Sequence, residues 1–181
     1  MLVLLVRLIG LSDLRSDIDA TVQSAFETLK PTGMAVAVID GGRPLYVKGL
    51  GFADIEQRKP MTPDSVHYLA SLGKHMTATA ILMLEEEGKL KLDDSISTVL
   101  KEAPESWNPI TIRHLLHHTG GLPDYLSAIG DLTKEVTEAD LIAAIKDKPV
   151  LRPPGVKWQY SNTGYMLLGL IVGRVSGMPL E

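Results

Sequence analysis

The sequence predicts a mixed α/β chain of the α+β kind, in which a helix and a β-hairpin precede a region that is almost wholly helical. Three observations carry this expectation. Leu14, Ile18, Val22, Phe26 and Leu29 recur at spacings that line one helix face. Two apolar runs then flank Gly41-Gly42, as the strands of a hairpin flank its turn. From Ser71 onward, apolar stretches are bounded by helix caps and breakers, with no further strand-like alternation.

Taken in order, the first helix is closed by Pro31 and Gly33. "MAVAVID" (34–40) and "PLYVKGLGFAD" (44–54) form the hairpin, with the two glycines supplying the turn. "EQRKPMTPDSV" (56–66) is polar, carries two prolines and reads as a loop. A helix is expected from about Ser71 to Glu87, capped by Gly88. Its apolar residues Met76, Ala78, Ala80, Ile81, Leu82 and Leu84 cover much of the circumference, which predicts enclosure on several sides. "TIRHLLHHTGG" starts a short helix at Thr111 and stops it at Gly120-Gly121. Thr137 with Asp140 has the form of an N-terminal cap for "EADLIAAIKDK". Pro153-Pro154-Gly155 forces a loop, "WQYSN" is extended, and "TGYMLLGLIVGRVSG" is a buried helix ending at Gly177. A hairpin is only marginally stable alone, so the sheet is expected to be incomplete in this chain.

The 181 residues suffice for one ordinary domain with a sizeable core. A hydrophobic share of 45% and a charged share of 22% argue against disorder and coiled coil. The formal net charge of -4 leaves no basic footprint for nucleic acid, so small molecules are the expected partners. Absence of cysteine removes disulfides, thiolate metal sites and cysteine nucleophiles. "MLVLLVRLIG" is too short for a membrane span, which needs about 20 apolar residues. Arg7 interrupts it and no small-residue cleavage site follows, so it reads as an irregular terminus or the leftover of an export segment.

The chemistry centres on "SLGK", where Ser71 and Lys74 lie one helical turn apart. A serine hydroxyl is a weak nucleophile until a base stands within hydrogen-bond reach. A free lysine, with a pKa of about 10.4, is protonated at neutral pH. An amine serves as a base only where burial, a second cation or a helix N-terminus disfavours its charge. Residues at i and i+3 share a helix face, so the geometry is available. The alternative is plain: Ser71 caps the helix and Lys74 is a solvated surface charge.

Three segments taken together favour the first reading. "LASLGKHMTATAILMLEEEGKLKLDDSI", "ITIRHLLHHTGGLPDY" and "PPGVKWQYSNTGYMLLGLIVGRVSG" follow one another in an order and spacing that resembles the serine β-lactamase-like family. That family comprises class C β-lactamases, D-alanyl-D-alanine carboxypeptidases and related esterases. The resemblance implies a β-lactamase/transpeptidase-like fold, a mixed sheet flanked by helices, and formation of an acyl-enzyme on a serine. It implies that Ser71 is the acylated nucleophile and Lys74 the lysine of the same S-x-x-K. Tyr160 and Asn162 match the Y-x-N motif, the tyrosine sharing the general-base role and the asparagine binding lysine and substrate amide. Expected substrates are a β-lactam, a D-Ala peptide or an ester, with no cofactor and no metal. Residues 1–181 are expected to form one domain: 1–12 irregular, 13–60 the helix and hairpin, and 61–181 the nucleophile helix and helical region. The family suggests a periplasmic or secreted protein, while the lack of a clear signal peptide leaves the cytoplasm open.

One departure stands out. The family's third motif, K-T-G or H-x-G on a late strand, has no counterpart after Y-x-N; His118-Thr119-Gly120 precedes it at a helix end and reads as coincidence. The expectation is therefore the N-terminal part of such an enzyme. The alternatives are a catalytically incomplete fragment or binding module, or a subunit completed by a partner or by self-association through an exposed sheet edge.

Other candidates have simpler structural readings. His114 and His118 are spaced to share a helix face, but no HExxH pattern or acid cluster accompanies them, and His118 reads as a helix-end cap. Asp93-Asp94 fits capping of the turn at Ser95 better than paired acid–base catalysis. Asp124 and Tyr125 are candidates for the mouth of the site.

Overall fold

The computed structural model of the protein describes residues 11–129 and 136–178, so the apolar N-terminal segment MLVLLVRLIG lies outside the described residues. The chain divides into two compact units, residues 1–68 and 69–181.

The first unit contains α1 (Leu11–Leu29), β1 (Gly33–Asp40), β2 (Arg43–Asp54) and β3 (Lys59–Pro60) in an antiparallel sheet of order β1-β2-β3. Asp40 pairs with Arg43, leaving Gly41 and Gly42 as a two-residue turn. Both have positive φ, 53° and 74°, as a type I′ hairpin turn requires. The helix is tied to the sheet by Asp19, whose Oδ1 accepts hydrogen bonds from Tyr46 OH (2.7 Å) and Lys48 Nζ (2.6 Å). β3 falls inside the segment expected to be a loop. Pairing of Phe52 with Pro60 and Asp54 with Lys59 makes it an edge strand too short to leave a periodic signature, and a proline is tolerated there because an edge position needs no N–H.

The second unit is helical: α2 (Gly73–Glu86), α3 (Ile112–Leu116), α4 (Leu126–Ile129), α5 (Glu138–Lys146) and α6 (Asn162–Ser176). Its core gathers around α6. Leu167, Leu168 and Ile171 of that helix are fully buried together with Ile81 of α2, Ile112 and Leu115 of α3, Ile145 of α5, and Trp107 and Ile110 of the connection before α3. Ser161 caps α6 by accepting from Gly164 N–H at 2.9 Å, and Gly177 ends it in the left-handed conformation. Thr137 and Asp140 form a reciprocal capping box on α5, as their spacing predicts.

Four expectations need correction. The helix expected from Ser71 begins with a separate 3₁₀ turn, Ala70–Leu72, and becomes α-helical only at Gly73. It is not enclosed on several sides: Thr77, Ile81 and Leu84 are buried, but Met76 and Met83 are each 55% exposed, because only the face toward α6 meets the core. The short helix after Thr111 ends at Leu116, earlier than Gly120. His114 completes the capping box of α3, its Nδ1 accepting from Thr111 N–H at 3.2 Å, while His118 lies beyond the helix; the two do not share a face.

Asp93 pairs with Arg113 (2.7 and 2.9 Å) and Asp94 accepts from Lys91 N–H, so these two acids serve the local turn. Ser95 caps the turn Ile96–Thr98 through Ser97 N–H. No helix among the described residues is long and apolar enough to cross a membrane.

The one-sided burial of α2 makes a direct prediction. Ile81→Ala, which opens a cavity on the buried face of that helix, should lower unfolding free energy by about 2–5 kcal/mol in urea denaturation. Met83→Ala should stay within about 0.5 kcal/mol, as expected for a surface position.

Candidate active site

Two chain segments meet at the site. The first runs from the 3₁₀ turn into α2 and carries Ser71 and Lys74; the second runs from the loop after Pro154 into α6 and carries Tyr160 and Asn162. Ser71 does not cap the helix, since the N-cap position of α2 is Leu72 and no side chain caps it. Its hydroxyl instead lies 2.6 Å from Tyr160 OH and accepts from Lys74 Nζ at 3.1 Å. Lys74 also donates to Asn162 Oδ1 at 3.0 Å, and its Nζ stands 5.0 Å from the centre of the Tyr160 ring. Lys74 is half-buried, whereas Ser71 and Tyr160 are exposed. All four residues singled out in the sequence are therefore in one hydrogen-bonded group.

The electrostatics follow from that contact. Lys74 beside the phenol draws the pKa of Tyr160 below its ordinary value, the Ser71 hydroxyl adds to this, and partial burial opposes it. With two of its donor sites on Ser71 Oγ and Asn162 Oδ1, Lys74 leaves the serine proton free to point at Tyr160. A separation of 2.6 Å is in the range of charge-assisted O–H···O bonds.

The loop that delivers Tyr160 is stitched to the segment after α3. Leu151 N–H bonds to Gly121 O (2.8 Å), Gly155 N–H to Thr119 O (2.9 Å) and Gln159 N–H to His118 O (2.8 Å). Arg152 additionally donates to the side chain of Gln159. On the α6 side, buried Thr163 donates to Pro123 O at 2.7 Å and accepts from Tyr125 N–H at 3.0 Å, which fixes the loop between α3 and α4 beside Asn162. Asp124 is exposed and accepts from Leu126 N–H.

Two rings beside the site escape the sequence reading. The His118 ring stands 4.8 Å from that of Tyr160 and 4.9 Å from that of Tyr165, and Tyr165 OH donates to Leu116 O at 3.2 Å. His118 does sit at a helix end, with its N–H bonded to Leu115 O, but its ring belongs to the site. Tyr165 could have been found from its spacing: it is i+3 from Asn162 and so shares a face of α6 with it. Tyr160 packs on His118, whose edge-on neighbour is Trp158 at 6.2 Å. Among the described residues, no group of three His, Cys, Asp or Glu side chains is placed to hold a metal ion.

A profile of the family described as Beta-lactamase matches residues 18–181. The chain belongs to the Beta-lactamase family. It is 37% identical over 165 residues to penicillin-binding protein 4* of Bacillus subtilis (strain 168), a match that covers 87% of this chain and 36% of that protein. The chain thus spans about a third of the length of this curated relative. Among solved structures it is similar to the octameric penicillin-binding protein homologue from Pyrococcus abyssi (31% identity, TM-score 0.76, 91% of this chain and 40% of that one). It is also similar to a class C β-lactamase in complex with cefoxitin (26% identity, TM-score 0.78, 93% and 46%). The fold is accordingly that of the β-lactamase/transpeptidase-like proteins.

Gly121 offers a test of the stitched loop. Its φ is +72°, and an added Cβ would lie 2.3 Å from Arg152 O. Gly121→Ala should therefore push the loop at Arg152 away and lower stability by about 1–3 kcal/mol, read as a drop in thermal midpoint. An unchanged midpoint would mean that the two strands of chain are not so closely opposed.

Proposed function

We propose that this chain carries the acyl-transfer centre of a serine hydrolase of the β-lactamase-related type. The observation that supports the reading most directly is that Ser71 Oγ has both Tyr160 OH and Lys74 Nζ within hydrogen-bond distance. An isolated surface serine has no such pair of neighbours, and a nucleophile needs one. Relatives named as penicillin-binding proteins, and one solved with cefoxitin, favour β-lactams and D-Ala peptides as the substrate class, with esters as the third candidate.

In this mechanism Ser71 Oγ attacks the carbonyl carbon while its proton passes to the Tyr160 oxygen. The carbonyl π pair moves to oxygen, giving a tetrahedral intermediate. Its collapse re-forms the carbonyl and breaks the C–N or C–O bond, and the leaving atom takes the proton back from Tyr160. Water then attacks the Ser71 ester by the same proton route in reverse. Lys74 stabilises the phenolate and holds the attacking oxygen. Asn162 uses its Oδ1 on Lys74, so its amide N–H groups are the part that can bind the substrate carbonyl.

Incubation with a penicillin and, separately, a fluorophosphonate should add the corresponding mass to the intact protein, and Ser71→Ala should abolish both adducts. A folded sample without an adduct would instead support the alternative of a catalytically incomplete fragment. Lys74→Ala and Tyr160→Phe should each slow acylation by about 10²–10⁴-fold, the range expected for loss of general-base assistance. The rate should also rise with pH. Below its pKa Tyr160 is protonated and cannot accept the serine proton; above it the phenolate can. Because Lys74, then Ser71, lower that pKa, the midpoint should fall below the ordinary phenol value of 10.0.

A further inference from the structure

The His118 ring is held at the site by more contacts than a helix end requires. It lies between Tyr160 and Tyr165, tilted 34° and 37° to their rings. Its Nδ1 accepts from the backbone N–H of Ser161 at 3.1 Å, the residue that separates Tyr160 from Asn162 and caps α6. Its own carbonyl accepts from Gln159 N–H. One residue therefore grips 159, 160 and 161 together. It does so from a left-handed backbone conformation, φ +58°, which is disfavoured for a non-glycine residue. Strain of this kind persists where surrounding structure over-determines it, and such places cluster at functional sites.

We propose that neutral His118 is a positioning residue that sets Tyr160 and Asn162 for proton transfer at Ser71. The proposal rests on the acyl-transfer reading and adds to it a residue that touches neither Ser71 nor substrate. Nδ1 can accept from Ser161 only while it carries no proton. Protonation turns it into a donor facing a donor, and the Ser161 contact is lost. The same proton places a second cation near Lys74. The titratable groups facing the ring are Lys74 on α2, Tyr160 on the loop and Tyr165 on α6. On its own segment, His114 is committed to the α3 cap and His117 is exposed. Burial, and after it the charge of Lys74, hold the His118 pKa below the usual 6.5. Its protonation therefore belongs to the acid range, below the pH at which Tyr160 already limits the rate.

The two protonations are separable by slope. Where only the Tyr160 proton blocks reaction, the logarithm of the acylation rate rises by one per pH unit. Where His118 is protonated as well, it should rise by two. The wild type should show a break from slope one to slope two below pH 6.5. His118→Asn keeps an acceptor near the Nδ1 position, tolerates a left-handed backbone and cannot titrate in this range, so it should hold slope one throughout. His118→Ala, with neither ring nor acceptor, should acylate about 10–10²-fold more slowly than His118→Asn at pH 8, as expected from a displaced catalytic group. Circular dichroism establishes that each variant is folded.

A second readout does not depend on activity. In ¹⁵N-labelled Ser71→Ala protein, the Ser161 amide resonance should shift with the same midpoint as the His118 ring, and in a Ser71→Ala, His118→Asn double variant it should stop titrating. A wild type that keeps slope one, a break that survives His118→Asn, or a Ser161 amide indifferent to His118 would each overturn the proposal. An amide that follows His118 in a wild-type chain that forms no adduct at any pH would overturn the acyl-transfer reading, and with it the catalytic part of this one, leaving a structural clamp.

Discussion

The site is organised by a single half-buried cation. Lys74 Nζ donates across a gap between two elements, to Ser71 Oγ at the entrance of α2 and to Asn162 Oδ1 at the first position of α6. A charge removed from water needs polar partners, and these two oxygens provide them. Tyr160, whose ring faces the same nitrogen, completes the surroundings. Remove the cation and the serine hydroxyl, the phenol and the amide lose the contact that links all three. The positions of α2 and α6 are in turn set by apolar packing, because Ile81 and Leu84 on one helix and Leu167, Leu168 and Ile171 on the other share a core.

That division of labour explains why the polar groups sit where they do. The core packs the helices but cannot orient four polar side chains to within a few tenths of an ångström. Orientation comes from the ends of the elements: the Ser161 cap at the start of α6, the Thr163 clip to Pro123 and Tyr125, and the backbone bonds that lay residues 151–159 along 118–121. Two non-glycine residues with positive φ, Ala70 and His118, flank the reacting group, one immediately before Ser71 and one against Tyr160. Both place sharp bends where a regular helix or strand would carry the side chains elsewhere.

Much of this was legible in the sequence, and the reasons differ by feature. The α1 stripe, the Gly41-Gly42 hairpin, the α5 cap and the Gly177 terminus are local patterns, decided by residues close in sequence, and such patterns survive folding unchanged. Ser71 with Lys74, and Tyr160 with Asn162, were readable as motifs through the family resemblance, and the structure brings the two pairs together. What sequence could not supply was long-range. β3 exists only because β2 lies beside it. The bare side of α2 depends on which neighbours surround it, not on its composition. His118 looked like a helix terminus because its partners, Tyr160, Ser161 and Tyr165, are more than forty residues away.

The central physical claim is that Lys74 acts on Tyr160 across the gap between α2 and the loop leading to α6. The most direct test is the ionisation of Tyr160 itself, followed by NMR of ¹³Cζ-labelled tyrosine in the wild type and in Lys74→Met. The account predicts that Tyr160 titrates below the ordinary phenol value of 10.0 in the wild type and moves upward when the amine is replaced. A Tyr160 pKa that is the same in both proteins would show that the two groups do not interact, and the proton-transfer scheme built on them would fail.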